Sequence, residues 1–161
     1  MSEILGVLFK YLVALLGVAA VVGILYLVFG SNKTQTAISD VTLLQTNTQS
    51  LYNGSNTFTS LTNTIAITGK LAPQSMISGA TLVNPWGGTV TVSVNASNAA
   101  QFDVAESASV PADACAQMIR GVATAIALKV NGTAQTLPLD PGSAVTACNL
   151  AANALTFTFG R

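Results

Sequence analysis

The sequence predicts an α+β fold, in which a long N-terminal α-helix packs on an antiparallel β-sheet head with one inserted helix and a C-terminal disulfide loop. Three patterns predict this class: a nearly continuous apolar run at Ile4–Phe29, apolar residues at three- and four-residue steps within Ala37–Leu51, and alternating segments such as Thr89–Asn95. We expect three parts: an apolar helix at 1–30, an amphipathic continuation at 31–53 that packs on the head, and a globular α+β head at 54–161.

The apolar run is long enough to cross a membrane. A helix over Ile4–Phe29 measures about 39 Å, against roughly 30 Å for the hydrocarbon core of a bilayer. The run is longer than the apolar part of a secretory signal peptide, and no basic residue precedes it. The sequence therefore predicts a membrane-competent helix that belongs to the mature protein.

This helix is predicted to continue beyond the apolar run. After a short polar break at 30–32, apolar positions follow one stripe of an otherwise polar helix: Ala37, Ile38, Val41, Leu44, Thr48 and Leu51. Asn53-Gly54 is a strong stop signal. We expect one helix from about Ser2 to Tyr52, apolar in its first half and amphipathic in its second.

The middle of the chain is predicted to hold a short helix followed by strands. The helix is expected at Asn56–Thr68, ended by Gly69 and Pro73. Its apolar residues share one face: Phe58, Leu61, Ile65 and Ile67. Asn84–Gly88 is a turn that carries the only tryptophan, and two strands follow it, Thr89–Asn95 and its expected antiparallel partner Gln101–Ser107.

The C-terminal third begins with the inserted helix. Pro111 suits a first helical position, and Ala112–Val122 places four residues inward: Cys115, Met118, Ile119 and Val122. The later elements are a strand at Ala125–Val130, a hairpin turn at Asn131-Gly132, a return strand at Thr133–Leu137, a turn at Asp140–Gly142 and a final strand at Ala154–Phe159.

The composition disfavours several classes of function. Charged residues make up 7% of the chain and the net charge is zero, so no basic surface is available for nucleic acid or anionic lipid. The chain contains no histidine, the commonest general base and metal ligand. We therefore expect no enzyme, no metal site, no cofactor and no direct nucleic-acid binding.

The two cysteines are predicted to have a structural role. Cys115 and Cys148 are too few for a structural zinc site and do not form a C-x-x-C pair. In an exported protein, an isolated pair indicates one disulfide, which here would close the C-terminal third into a loop. A reduced, buried pair is the alternative.

Together these features resemble those of type IV pilins. The order of elements is most similar to the type IVb group, particularly the thin-pilus pilins of conjugative plasmids. The general layout covers the whole chain, and three local motifs carry the resemblance: GKLAP at 69–73, NPWGG at 84–88 and CNLAANALTFTF at 148–159.

The resemblance implies a structural protein that polymerises through its N-terminal helices into an extracellular pilus. It implies that a prepilin peptidase removes a basic leader at the inner membrane, where an assembly machinery then takes up the subunit, and that Met1 is the first residue after this cleavage. Conjugation or adhesion is the expected use, with a recipient-cell surface or a glycan as a possible partner. One departure stands out, because the acid that the family places fifth in the mature chain is Glu3 here.

Several residues of the apolar helix are expected to act in assembly. A carboxylate among apolar helices is costly unless paired, so Glu3 is expected to meet the Met1 ammonium or Lys10 of a neighbouring copy. The alternatives are that Glu3 only complements the helix dipole, or that Glu3 and Lys10 extend to opposite membrane interfaces. Small residues are expected to allow close helix approach: Gly6, Ala14, Gly17 and Gly23.

These features support two interpretations of the whole chain. The first is the major subunit of a type IVb-like pilus, in which Trp86 either anchors the head or contacts another subunit. The second is a membrane-anchored, monomeric surface-binding module or a minor pilin.

Overall fold

A computed structural model describes residues 2–161, and the side chains of all of these except 2–5, 8 and 23–31. The chain forms two compact units, Met1–Lys33 and Thr34–Arg161. Helix α1, at Ser2–Leu51, contributes to both. Among the described residues, no helix combines the length and apolarity needed to cross a membrane. Part of the predicted apolar segment Ile4–Phe29 lies outside the described side chains, so its membrane competence stays a prediction, as does the three-part division of the chain.

The second half of α1 buries four of the six positions of the predicted apolar stripe, and Ile38 is half-buried. Ala37, Val41, Leu44 and Thr48 are each at most 1% exposed, as expected for positions repeating at three- and four-residue steps. The prediction for Leu51 was wrong, because its side chain is 56% exposed. The helix ends at this residue, and the next one, Tyr52, turns inward instead and packs on Phe58 at 5.1 Å between ring centroids.

The short helix begins later than predicted. Helix α2 covers only Asn63–Thr68, and Thr62 caps it by accepting a hydrogen bond from the Ile65 amide. The preceding residues form turns because the Phe58 amide donates to the Ala99 carbonyl at 2.8 Å, a long-range bond that helical geometry would not allow. Phe58 and Leu61 are buried as predicted, whereas Ile65 and Ile67 are only half-buried.

Seven strands form one antiparallel sheet in the order β1-β2-β3-β4-β7-β5-β6. Their bounds are Ile77–Ser78, Thr81–Val83, Thr89–Val94, Phe102–Val110, Ala127–Val130, Thr133–Gln135 and Asn153–Phe159, with a short 3-10 helix at Gln74–Met76 before the first. The five predicted strands are confirmed with shifted ends. Strands β1 and β2 were not predicted, because two- and three-residue segments are too short to show a period.

The inserted helix is confirmed, and the segment after the hairpin differs from its prediction. Helix α3 covers Ala112–Gly121 and buries Cys115, Met118 and Ile119 as predicted. Val122, also buried as predicted, caps its C-terminal end, and Pro111 lies at the N-cap rather than in the first turn. The turn predicted at Asp140–Gly142 was wrong, because Asp140 caps a further helix, α4, at Pro141–Ala147. Asp-Pro-Gly suits this role equally well, since the aspartate caps the free amides and proline occupies the first turn.

The interior of the head is built on aromatic rings. Phe58, Phe102 and Phe159 follow Tyr52 in a chain of contacts with successive centroid distances of 5.1, 4.8 and 5.4 Å. The rings of Phe102 and Phe159 come from β4 and β7, which lie side by side in the sheet. The structure thus confirms the α+β class, the antiparallel sheet and the inserted helix.

Candidate functional site

The first unit exposes an apolar helix surface. All its large apolar residues with described side chains are more than half exposed: Val7, Phe9, Tyr11, Leu12, Val13, Leu15, Leu16, Val18, Val21 and Val22. Because the helix turns by 100° per residue, neighbours such as Tyr11, Leu12 and Val13 point to different sides. Between Val7 and Val22 the helix is therefore apolar around its whole circumference, which is typical of a helix enclosed by lipid or by other helices.

The predicted assembly residues are described only in part. Gly6, Lys10, Ala14 and Gly17 are exposed, and a methyl group added at Gly6 or Gly17 would meet nothing within 4 Å. Gly6 and Gly17 lie about 20° apart around the helix axis, so they share one face, with Lys10 about 40° from Gly6 and Ala14 about 80°. Three further residues lie outside the described side chains: Met1, Glu3 and Gly23.

The predicted disulfide is present. Cys115 and Cys148 are bonded across a Cα–Cα distance of 5.9 Å, and both are buried. The bond joins α3 to the residue that caps the C-terminal end of α4. It closes a loop of 33 residues in sequence separation, and a loop of that length contributes about 3–4 kcal/mol in the chain-entropy model.

The asparagine and the glycines of the NPWGG segment determine its conformation. The Oδ1 atom of Asn84 accepts hydrogen bonds from the amides of Trp86 and Gly88, at 3.2 and 2.8 Å. Gly87 has a φ of +82°, which favours glycine. A Cβ atom at Gly88 would lie 1.9 Å from the Ser109 hydroxyl oxygen. The segment therefore folds as a tight turn pressed against β4, and half-buried Trp86 packs against the core from it.

A buried carboxyl group lies beneath this turn and was not predicted. Glu106 of β4 is 2% exposed, and its Oε2 accepts a 2.7 Å hydrogen bond from Nδ2 of Asn84. The same amide nitrogen donates to the Ser109 hydroxyl at 2.8 Å. The alternation of β4 could have predicted that Glu106 is buried, because Glu106 follows Phe102 and Val104 at two-residue steps and both of these side chains point inward. Asp103 lies on the other face of β4, where it accepts hydrogen bonds from Asn95 and Thr158.

A second buried carboxyl group, that of Asp40 in α1, lies close enough to Glu106 for its charge to act on it. Asp40 is 5% exposed and accepts a 2.6 Å hydrogen bond from the Ser75 hydroxyl. Burial raises the pKa of Asp40, and the bond from Ser75 opposes this. Burial also raises the pKa of Glu106 to about 7, the Asn84 bond lowers it, and the charge of Asp40 raises it further. Two oxygens, Asp40 Oδ2 and Glu106 Oε1, accept no hydrogen bond from the described residues.

Asp40 and Glu106 each join two elements of the fold by a hydrogen bond. In the part of the chain that the structure describes, no three metal-ligating side chains come together. Asp40 joins α1 to the 3-10 helix at Gln74–Met76 through Ser75, and Glu106 joins β4 to the turn at 84–88 through Asn84. Because Glu106 is expected to be largely protonated below its raised pKa, the pair need not carry two buried charges.

The combination of an exposed apolar helix, an amphipathic helix on an antiparallel sheet and a disulfide-closed α+β head is that of a pilin-type subunit. Residues 31–160 match the protein family described as PilS N terminal. The chain belongs to this family, a type IV pilin family of the thin-pilus kind whose members are structural proteins that assemble into an extracellular pilus. No curated protein matches the chain.

Proposed function

We propose that the chain is the major subunit of a type IVb-like pilus and polymerises through residues 1–52. The observation that carries this proposal is the apolar surface at 7–22, which is exposed in a chain of a pilin family. Each Å² of that surface left in water would cost roughly 25 cal/mol, so outside a membrane these helices are stable only when they pack against one another. The head then forms the coat of the filament.

The helix surface offers a route for close packing. Gly6 and Gly17 share one face and carry no side chain that would hold a neighbouring backbone away. Lys10 lies near that face and is exposed. In this proposal, Gly6, Ala14, Gly17 and Gly23 form the ridges along which neighbouring helices approach.

Glu3 acts in this proposal as the residue that sets the register between copies. A carboxylate enclosed by apolar helices is destabilising by several kcal/mol unless a cation pairs with it. The cations nearest in sequence are the Met1 ammonium and Lys10, each of which a neighbouring copy supplies. Either pairing forms only when two helices meet at a defined axial offset.

In this proposal the head has two roles, which are stability outside the cell and contacts on the outer surface of the filament. Its disulfide stabilises the domain in an oxidising, extracellular setting. Trp86, half-buried in the tight turn at 84–88, is proposed as a contact between the heads of neighbouring subunits. Before assembly, a prepilin peptidase would remove the leader at the inner membrane, and the filament would then serve conjugation or adhesion through a recipient surface or glycan.

The competing proposal is a monomeric, membrane-anchored binding module or a minor pilin. In the binding module, lipid would enclose the same apolar helix surface. A minor pilin would use that surface as well, but would be present in few copies. Electron microscopy of material sheared from cells, with detergent extraction of the membranes, separates these proposals. The major-pilin proposal expects filaments made mostly of this chain. Recovery of the chain only from detergent-solubilised membranes, with no filament, would contradict it.

A further inference from the structure

The chain contains two Asn-Gly pairs, Asn53-Gly54 and Asn131-Gly132. In such a pair, the backbone nitrogen of glycine attacks the asparagine Cγ, the C–N bond of the amide breaks, and ammonia leaves. The resulting succinimide ring takes up water and opens to aspartate or to isoaspartate. Glycine favours this reaction because it has no Cβ to hinder the approach of its nitrogen. In a folded chain, the rate depends on how freely the side-chain amide and the backbone can move.

Asn53 is free to react. It is exposed and lies two residues beyond the end of α1. Neither its side-chain amide nor the Gly54 amide makes a hydrogen bond to any residue that the structure describes. The backbone of Asn53 makes two bonds: its amide donates to the Ser50 carbonyl at 3.3 Å, and its carbonyl accepts from Nη2 of Arg161 at 3.2 Å. The attacking nitrogen and the amide carbon are thus both accessible.

Asn131 is held in place. Its Nδ2 donates to Oδ1 of Asn153 at 2.9 Å and to the Ala147 carbonyl at 3.5 Å. Its Oδ1 accepts from the Ala154 amide at 2.9 Å, and its own amide donates to the Ala154 carbonyl. Cyclisation at Asn131 would require the side-chain bonds to break first.

We propose that Asn53 is a site of spontaneous deamidation and backbone isomerisation in the native chain, and that Asn131 is protected from the same reaction. The product places a new carboxylate beside the Arg161 guanidinium, which already donates to Asn56 and to the residue 53 carbonyl. Isoaspartate also adds one carbon to the main chain at the junction between α1 and the head. The reaction would therefore alter the main chain of aged subunits at that junction.

The test compares the two sites within one molecule. The full-length chain in mild detergent is incubated at neutral pH, then reduced and digested with trypsin, which separates Asn53 (peptide 34–70) from Asn131 (peptide 130–161). Mass spectrometry follows the mass gain of each peptide, and electron-transfer fragmentation identifies isoaspartate. Because two or more hydrogen bonds hold the Asn131 amide, its reaction is expected to be at least about tenfold slower than that of Asn53. In the reduced, urea-unfolded chain the two rates should converge.

A matched variant separates this chemistry from general instability. Gly54→Ala has room for its methyl group, since nothing lies within 4 Å of the added Cβ. The variant should keep the native fold, as measured by near-UV circular dichroism, and lose most of the reaction at Asn53. Equal protection of both native sites would overturn the proposal. An unchanged rate in folded Gly54→Ala would overturn it as well.

Discussion

Nδ2 of Asn84 donates a 2.7 Å hydrogen bond to Oε2 of Glu106, and this bond joins a surface turn to a carboxyl group in the interior of the head. Asn84 also accepts from two amides of its own turn. One side chain therefore shapes the turn that carries Trp86 and satisfies one of the two oxygens of a buried acid. The stability of the head should depend on this contact and on the protonation of Glu106.

The head should lose stability as the pH rises towards 7. Burial raises the pKa of Glu106 from 4.5 to about 7, so the folded state holds a proton that the unfolded state releases. The stabilisation is complete below about pH 4.5 and is lost as the pH rises through 7, a change of about 3 kcal/mol. The raised pKa of Asp40 acts in the same direction. Urea unfolding of the full-length chain between pH 5 and 8, followed by near-UV circular dichroism, measures this slope.

Glu106→Gln is the variant for that experiment, because it keeps the shape of the side chain and removes its titration. We expect most of the pH dependence between 5 and 8 to disappear in this variant. Asp113→Asn, at an exposed acid in the first turn of α3, serves as the control and should keep the native slope. A Glu106→Gln protein with the full native slope would show that Glu106 is not the responsible group.

Replacing Asn84 with alanine should destabilise the head by about 1–3 kcal/mol, because it leaves Glu106 Oε2 and the Ser109 hydroxyl without their donor. The loss should be larger at pH 8 than at pH 5, since the Asn84 bond stabilises the ionised form of Glu106. The exposed Asn149→Ala variant is the control. An equal loss at both pH values would mean that the bond does not act on the charge.

Removing the disulfide should lower stability by about 3–4 kcal/mol through the greater freedom of the unfolded chain. The double variant Cys115→Ala/Cys148→Ala avoids a free thiol and should unfold at a lower urea concentration while keeping native circular dichroism. Reductant should lower the midpoint of the native chain towards that of the variant. A midpoint that does not move in either case would show that the bond adds nothing to stability.

Replacing Glu3 with alanine should abolish or greatly slow filament formation and leave the head folded. The carboxylate is proposed to pair with an amine of a neighbouring helix, and alanine removes this contact without adding bulk. Electron microscopy of sheared material measures assembly, and near-UV circular dichroism measures the head. Lys70→Ala, at an exposed lysine of the head, is the charge control. Normal piliation by Glu3→Ala would remove this account of Glu3.

The sequence predicted those elements that carry their own periodic signal. Strand Thr89–Val94 alternates strictly, and helix α3 repeats its apolar positions at three- and four-residue steps, so both were located to within a residue. The disulfide also followed from a count of two cysteines. The family resemblance was carried by local motifs, and the match over 31–160 confirms it.

The errors arose where distant contacts decide the local structure. Residues 56–61 have helical spacing, yet the bond from Phe58 to Ala99 holds them in turns. Asp-Pro-Gly at 140–142 suits a turn and a helix start equally well, and only the packing of α4 on α3 selects the helix. The proximity of Asp40 to Glu106 has no local signal, because 66 positions separate two residues that only the folded head brings together.

The most direct test of the central claim, that the N-terminal helices form the core of a filament, is a cryo-electron microscopy reconstruction of the sheared pili at side-chain resolution. We predict a core of closely packed helices from residues 1–30, with the Glu3 carboxylate in contact with the Met1 amine or Lys10 of a neighbouring copy and the heads outside. A filament in which these helices do not form the core, or in which Glu3 meets no amine, would contradict the account.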